Sequence, residues 1–321
     1  MTALLVAACA ASPIIGGYGD FRFQYDSTRL ALPPGTHLLN AHGLVVDPND
    51  GGILLTYEPV HGSDDKHCMI KWRADGTGGA TVGPADALCA GTPHGLRLST
   101  ESGEHFLYHA NNAASLHKTR LDGTIVWSVH GPPTPAKEFL PNKPTWFSVP
   151  PGSGHAYMAD GYGSNYVHVY SLEGKYSGYS FGGRGHGPGQ FETCHSINWD
   201  SRVGQLVVSD RENHRHQFFA APTDPRRPPN VTYVSEFATP ELKRPCNLRV
   251  APDEEHAVVP ALEGPVGVLN ASNALVSLVN VSALLGKEGH LHPHDALLLS
   301  SGDLIVATWN PGKLSYWKRL P

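Results

Sequence analysis

Apolar and polar residues alternate along this chain in short runs separated by turn residues. The stretch from Phe181 to Phe219 shows the pattern most completely. A glycine-rich turn, GRGHGPGQF, leads into a strand with His195 at its start and a turn at Asp200-Ser201. An apolar strand follows from Gln205 to Ser209, then a polar turn from Asp210 to Asn213 and a last strand ending at Phe218-Phe219. No segment of this stretch is long or periodic enough for a helix, so it reads as antiparallel β structure.

The same unit recurs. Copies begin at Ala41, Pro93, Pro144, Cys194, Pro245 and Pro293, and their second positions are His42, His94, Thr145, His195, Cys246 and His294. A period of about fifty residues is the signature of propeller blades, each a small four-stranded sheet. Asp75-Gly76, Asp122-Gly123, Glu173-Gly174 and Asn270-Ala271 sit where hairpin tips are needed later in four of the units. The last copy ends close to Pro321, so ring closure requires Phe21-Arg22-Phe23-Gln24-Tyr25 to add a strand to the final blade and cover its edge. The expected fold is therefore an all-β, six-bladed propeller forming one domain over residues 21–321. The segments 134–143 and 222–229 are read as loops between blades.

Composition agrees with many short strands: 35 Gly and 27 Pro accompany 40% hydrophobic and 17% charged residues. A net charge of −5 offers no electrostatic footprint for nucleic acid or an anionic membrane, and no apolar run is long enough to span a bilayer. Residues 1–20 form an N-terminal segment in which Ala3 to Ala11 resembles the apolar part of an export signal without a preceding basic residue; a simple N-terminal strand is the other reading. Five Cys without CxxC spacing argue against a disulfide framework and leave room for one bridge, Cys68 to Cys89, in an exported chain. Sequons at Asn230, Asn270 and Asn280 permit glycosylation, and a secreted or lumenal location is favoured over others. Oligomeric state is not encoded in any of these features.

The chain carries 19 His, and their placement points to chemistry. The innermost strand of each blade faces a central channel, so His94, His195 and His294, from the second, fourth and sixth copies, converge on the axis. Three imidazoles with an open side describe a catalytic metal site, with Zn2+ expected and another divalent transition metal compatible. A lone His at a strand start more often serves a turn; three at equivalent places in alternate copies do not fit that explanation. His42 occupies the same ring and is a fourth ligand, a hydrogen-bond partner of metal-bound water, or a channel residue; His292 is a further channel residue. Tyr162, in Asp160-Gly161-Tyr162-Gly163, and Arg211, in Asp210-Arg211-Glu212-Asn213, flank the ring. A Tyr beside a dication can act as a base, and an Arg can hold a carboxylate by two contacts; capping strands and pairing with neighbours is the alternative role for both.

The Gly-Pro-Gly-Gln-Phe turn and the following Asp-Arg-Glu-Asn run resemble an NHL repeat. More narrowly, Pro93 to Leu96, Asp160 to Tyr162, the series from Pro188 to Asn213, and Pro293 to Asp295 resemble the catalytic domain of peptidyl-α-hydroxyglycine α-amidating lyase. The resemblance implies a six-bladed propeller with zinc on His94, His195 and His294, Tyr162 as base and Arg211 as a substrate contact. The reaction it implies splits a carbinolamide into a peptide amide and glyoxylate. Departures accompany it. Leu55 to Glu58 stand where the family has an Arg after the second strand of its first blade, and His292 replaces a Met before the last zinc ligand. Gly163 and Val208 replace paired Cys, and His42 is an addition.

Two functions follow. The first is a metal-dependent lyase acting at the axis on a small oxygenated or peptide-derived substrate. The second is a non-catalytic NHL propeller that presents a face to a protein or glycan, with a structural metal.

Overall fold

Six antiparallel sheets stand around one axis in the computed structural model, which describes residues 12–83, 88–133 and 136–321. The first blade is built from Leu38–Val46, Ile53–Pro59, Met69–Trp72 and Ala80–Thr81, and the second from Pro93–Glu101, Glu104–Asn111, Ser115–Thr119 and Ile125–His130. The third takes Trp146–Ser148, His155–Ala159, Tyr166–Ser171 and Tyr176–Gly182; the fourth takes Cys194–Asp200, Gln205–Asp210, Arg215–Ala220 and Thr232–Phe237. Arg249–Val250, Ala257–Pro260, Pro265–Leu269 and Leu275–Asn280 form the fifth. The sixth has Pro293–Leu298, Leu304–Thr308 and Lys313–Arg319, completed by Phe21–Tyr25 and Ile15–Tyr18 from the start of the chain.

Closure works as the period-two pattern of its strand requires. Phe21 and Phe23 point into the core between the fifth and sixth blades while Arg22 and Gln24 face solvent, and Phe23 pairs with Arg319 across the seam. The sheet reaches back to Ile15, so the chain from there to Tyr18 is part of the last blade. Residues 1–11, which hold the export-like run and Cys9, lie outside the described residues.

Each pair of neighbouring blades encloses its own apolar core. In the second strands, successive side chains enter different cores: Leu54 joins the core with blade two while Ile53 and Leu55 join that with blade six. Val207 and its neighbours Leu206 and Val208 divide likewise between the blades on either side. Both faces of these strands are covered, which is why they read as continuous apolar runs rather than alternating ones. Hairpin tips at Gly76, Gly123 and Gly174 adopt φ of 76°, 85° and 80°, the left-handed conformation that Gly supplies without steric cost.

Two further features differ from the sequence reading, besides the start of the last blade at Ile15 instead of Phe21. The Pro-rich segment 222–229 joins the third and fourth strands of blade four instead of linking blades. It lies against blade three, where Tyr157 donates its hydroxyl hydrogen to the Pro229 carbonyl at 3.2 Å. Short helices at Val281–Leu285 and Lys287–His290 precede the sixth blade, the first capped by the Asn280 side chain accepting from the Ala283 amide. Among the described residues no helix is long and apolar enough to cross a membrane.

Cys68 and Cys89 are joined by a disulfide that closes a loop with a sequence separation of 21. Cys194 and Cys246 are free and buried. Changing both Cys68 and Cys89 to Ser is expected to lower the unfolding free energy by about 2–4 kcal/mol, because the unlinked unfolded chain regains loop freedom. Urea titration of oxidised wild type and the double variant would check this, and an unchanged midpoint would remove the bridge from the stability of the fold.

Candidate metal centre and active site

The blade period delivers four imidazoles to one end of the axial channel. His42, His94, His195 and His294 are each 1% exposed or less. Ring centroids of His94 and His294 lie 4.6 Å apart; His195 is 5.1 Å from the first and 4.7 Å from the second, and His42 is 4.5 Å and 4.8 Å from them. The potential ligand atoms of His42, His94 and His294 all fall within 4.8 Å of one another. The tightest group thus contains His42, with His195 beside it.

The two ring positions without His orient two of the four that have one. His94 donates its Nδ1 hydrogen to the Thr145 carbonyl at 2.7 Å, and His195 donates its Nδ1 hydrogen to the Cys246 carbonyl at 2.7 Å. A carbonyl can only accept, so both neutral imidazoles turn an Nε2 lone pair inward. At His94 that atom meets Nε2 of His294 at 3.1 Å; at His195 it accepts from the Tyr162 hydroxyl at 3.0 Å. Thr145 and Cys246 thereby acquire a role through the backbone that side-chain reasoning had no signal for.

Tyr162 connects the imidazoles to the mouth. Its oxygen accepts from Arg211 Nη1 at 3.0 Å, and the Arg211 guanidinium carbon stands 5.2 Å from the Tyr162 ring centroid. Arg211 also donates its Nε hydrogen to Glu212, which accepts two further bonds from Arg244. Around these lies a cavity of about 360 Å³, lined among others by Asn40, His42, Glu58, Thr92, His94, Tyr162, Arg211, Arg244 and Trp309. Glu58 faces the opening as a buried carboxylate that accepts from Asn40 Nδ2 at 2.6 Å and Thr92 Oγ1 at 3.3 Å. The mouth is therefore acidic on one wall and carries two guanidinium groups on another. Glu58 was visible in the sequence only as a departure from the family pattern; Arg244, Asn40 and Thr92 left no signal there. His292 donates to the Leu262 carbonyl at 2.8 Å and packs 5.7 Å from Trp309, standing behind two residues of the lining.

The motifs around Tyr162 and Arg211 are largely scaffolding. Asp160 accepts from the Ser164 amide at 2.8 Å and its hydroxyl at 2.6 Å, which shapes the turn carrying Tyr162. Asp210 accepts from the Glu192 amide, Asn213, Arg215 and Gln217, locking the turn that holds Arg211 over the channel. Beneath the imidazoles lies Trp146, with ring centroids 6.3 Å from both His94 and His294. Below that, Arg249 pairs with Asp295 at 2.6 Å and donates to the Leu44 carbonyl at 2.7 Å.

Burial keeps the imidazoles uncharged. It pushes His94 down to about 3 and holds His42, His195 and His294 well below 6.5, with Arg211 adding to the effect at His195 and His294. Away from the axis, burial also lowers His109 and His216 to about 3. An unfolded chain protonates these groups near 6.5, whereas the fold resists until about 3, so the unfolded state binds more protons across that window. Stability of the metal-free protein is accordingly expected to fall as pH drops from about 6.5 toward 3, which urea midpoints at descending pH would show. Neutral imidazoles are also the form a metal requires. Burial likewise raises the Tyr162 hydroxyl above its usual range, against the opposing pull of Arg211.

A six-bladed propeller with a buried imidazole cluster at its axis is the class these observations define. No protein-family model matches the sequence. The chain is 30% identical over 141 residues to peptidylglycine alpha-amidating monooxygenase of Rattus norvegicus, a match covering 41% of this chain and 14% of that protein. It is 36% identical over 141 residues to peptidyl-glycine alpha-amidating monooxygenase A of Xenopus laevis, with the same 41% and 14% coverage. The chain therefore spans about a seventh of the length of these relatives. A solved structure titled "Structure of U3-55K" superposes with a TM-score of 0.52 at 14% identity, covering 88% of this chain and 79% of that one, a likeness of fold alone.

Proposed function

We propose that the protein is a metal-dependent lyase that cleaves a small carbinolamide at the axial imidazole cluster, a reading supported by its partial similarity to peptidylglycine alpha-amidating enzymes. One observation carries the reading: the Tyr162 hydroxyl lies 3.0 Å from both His195 Nε2 and Arg211 Nη1, between the imidazoles and an open cavity. A proton-transfer group, a cation for a carboxylate and a nitrogen donor set thus meet within reach of one small molecule.

The residues present fit a divalent transition metal. Both ring nitrogens of His42 are buried without a hydrogen-bond partner, and coordination through one of them would remove part of that cost. An all-imidazole set suits zinc, copper, iron or nickel and not the oxygen-seeking calcium or magnesium. When bound, such an ion would polarise the substrate oxygen and lower the pKa of Tyr162 by its charge.

The chain's own residues do the rest. Arg211 has guanidinium hydrogens beyond those given to Tyr162 and Glu212, and these hold the substrate carboxylate in a forked contact. Tyr162, as phenolate beside Arg211, takes the proton from the substrate hydroxyl. The oxygen's electron pair forms the new C=O bond as the C–N bond breaks, and Tyr162 returns the proton to the departing amide nitrogen. Products are a primary amide and a glyoxylate-like aldehyde acid. The Cys68–Cys89 disulfide supports a secreted or lumenal setting for this activity.

Elemental analysis joined to an assay on a peptidyl-α-hydroxyglycine tests the proposal. Stoichiometric metal and glyoxylate release are expected. Folded protein that takes up no transition metal and releases no glyoxylate would instead support a scaffold.

A further inference from the structure

We infer that the axial centre is built from four imidazoles, with His42 as a metal ligand alongside His94, His195 and His294. The inference rests on reading the axis as a metal centre and says how that centre is made. Its origin is a mismatch at the ring. His42 is 1% exposed, and neither Nδ1 nor Nε2 has a hydrogen-bond partner. His94 and His195 each spend Nδ1 on a carbonyl of the next blade, whereas His42 has both nitrogens uncommitted. A buried imidazole with no partner on either side is costly unless something comes to it.

Geometry says what that is. Nε2 of His94 and Nε2 of His294 are 3.1 Å apart. Two nitrogens at about 2.0–2.1 Å from a tetrahedral ion would be about 3.3 Å apart, so this pair already stands within a few tenths of an ångström of an edge of such a site. His42 and His195 flank that edge on opposite sides. His42 has its centroid 4.5 Å and 4.8 Å from the pair, and His195 has its centroid 5.1 Å and 4.7 Å from them. Joining the set requires His195 Nε2 to release the Tyr162 hydroxyl, which frees that oxygen for substrate beside Arg211. Four neutral nitrogens would leave the ion's double positive charge uncompensated, which would draw an anionic group of the substrate toward the mouth.

X-ray absorption on the zinc-loaded wild-type chain counts the imidazoles directly and needs no variant. Four are expected, falling to three in His42→Ala. Competition titration with a chelator should show zinc affinity lower in His42→Ala by more than about a hundredfold, beyond the roughly 10–100-fold that loss of a ligand's hydrogen-bond partner costs. His42→Phe, which fills the site without a donor, should bind as weakly as His42→Ala and thereby separate ligand loss from a packing defect. Three imidazoles in wild type, unchanged in His42→Ala with affinity within about tenfold, would overturn the role of His42 while leaving the metal centre intact. A wild-type chain that binds no transition metal would overturn both.

Discussion

Replacing Tyr162 with Phe is expected to lower turnover of a carbinolamide substrate by about 10²–10⁴-fold, with little change in KM or in metal content. The change removes one oxygen that bonds both His195 and Arg211 and leaves the ring in place. Proton transfer is a transition-state contribution, so the loss should fall on kcat. The acidic limb of the pH profile should also change. Metal-free burial holds the Tyr162 hydroxyl above its usual range, and a bound cation brings it down, so the wild-type limb should report a group that the Tyr162→Phe variant lacks. Steady-state kinetics across pH on metal-loaded protein would decide. Turnover within about threefold of wild type would remove Tyr162 from the chemistry.

Replacing Arg249 with Ala is expected to cost about 3–5 kcal/mol of stability. Arg249 is 6% exposed and Asp295 fully buried; the guanidinium gives the carboxylate bonds at 3.2 Å and 2.6 Å and also serves the Leu44 carbonyl. Removing it strands a negative charge at the axis, where Asn247 at 2.7 Å, the Leu44 amide at 2.8 Å and the Ala296 amide at 3.0 Å are the other donors to that carboxylate. Pairing the change with Asp295→Leu should recover most of the loss, since a buried ion pair replaced by apolar groups is often neutral. Urea titration of the single and double variants would measure both. A single variant within about 1 kcal/mol of wild type would show that the pair is not a determinant of stability.

These expectations draw on different layers of the molecule, and the layers were unequally legible. The blades were legible because a repeat that buries both faces of its strands must restate its apolar runs every time, and the period set His94, His195 and His294 at equivalent strand starts. Ring closure was legible for a related reason: the alternation at Phe21 and Phe23 demands a buried face, and the last repeat lacked a strand. The Pro-rich segment 222–229 reads as a loop between blades because Pro marks a loop without saying which strands it joins. Its position within blade four depends on contacts such as that of Tyr157 with Pro229, 72 residues apart.

At the site, residue type announced the imidazoles, Tyr162 and Arg211. Which atom of each faces which partner was decided by main-chain carbonyls at Thr145 and Cys246, which carry no residue-specific signature. Glu58 and Arg244 reach the mouth from separate parts of the ring, and Arg249 of blade five meets Asp295 of blade six. The sequence by itself determined the architecture, because local periodicity and turn chemistry recur in every unit and need no long-range information to be read. Only the tertiary structure decided that His42 stands with unpartnered nitrogens among the other imidazoles, because buried hydrogen bonding is settled by three-dimensional neighbours from all six blades at once.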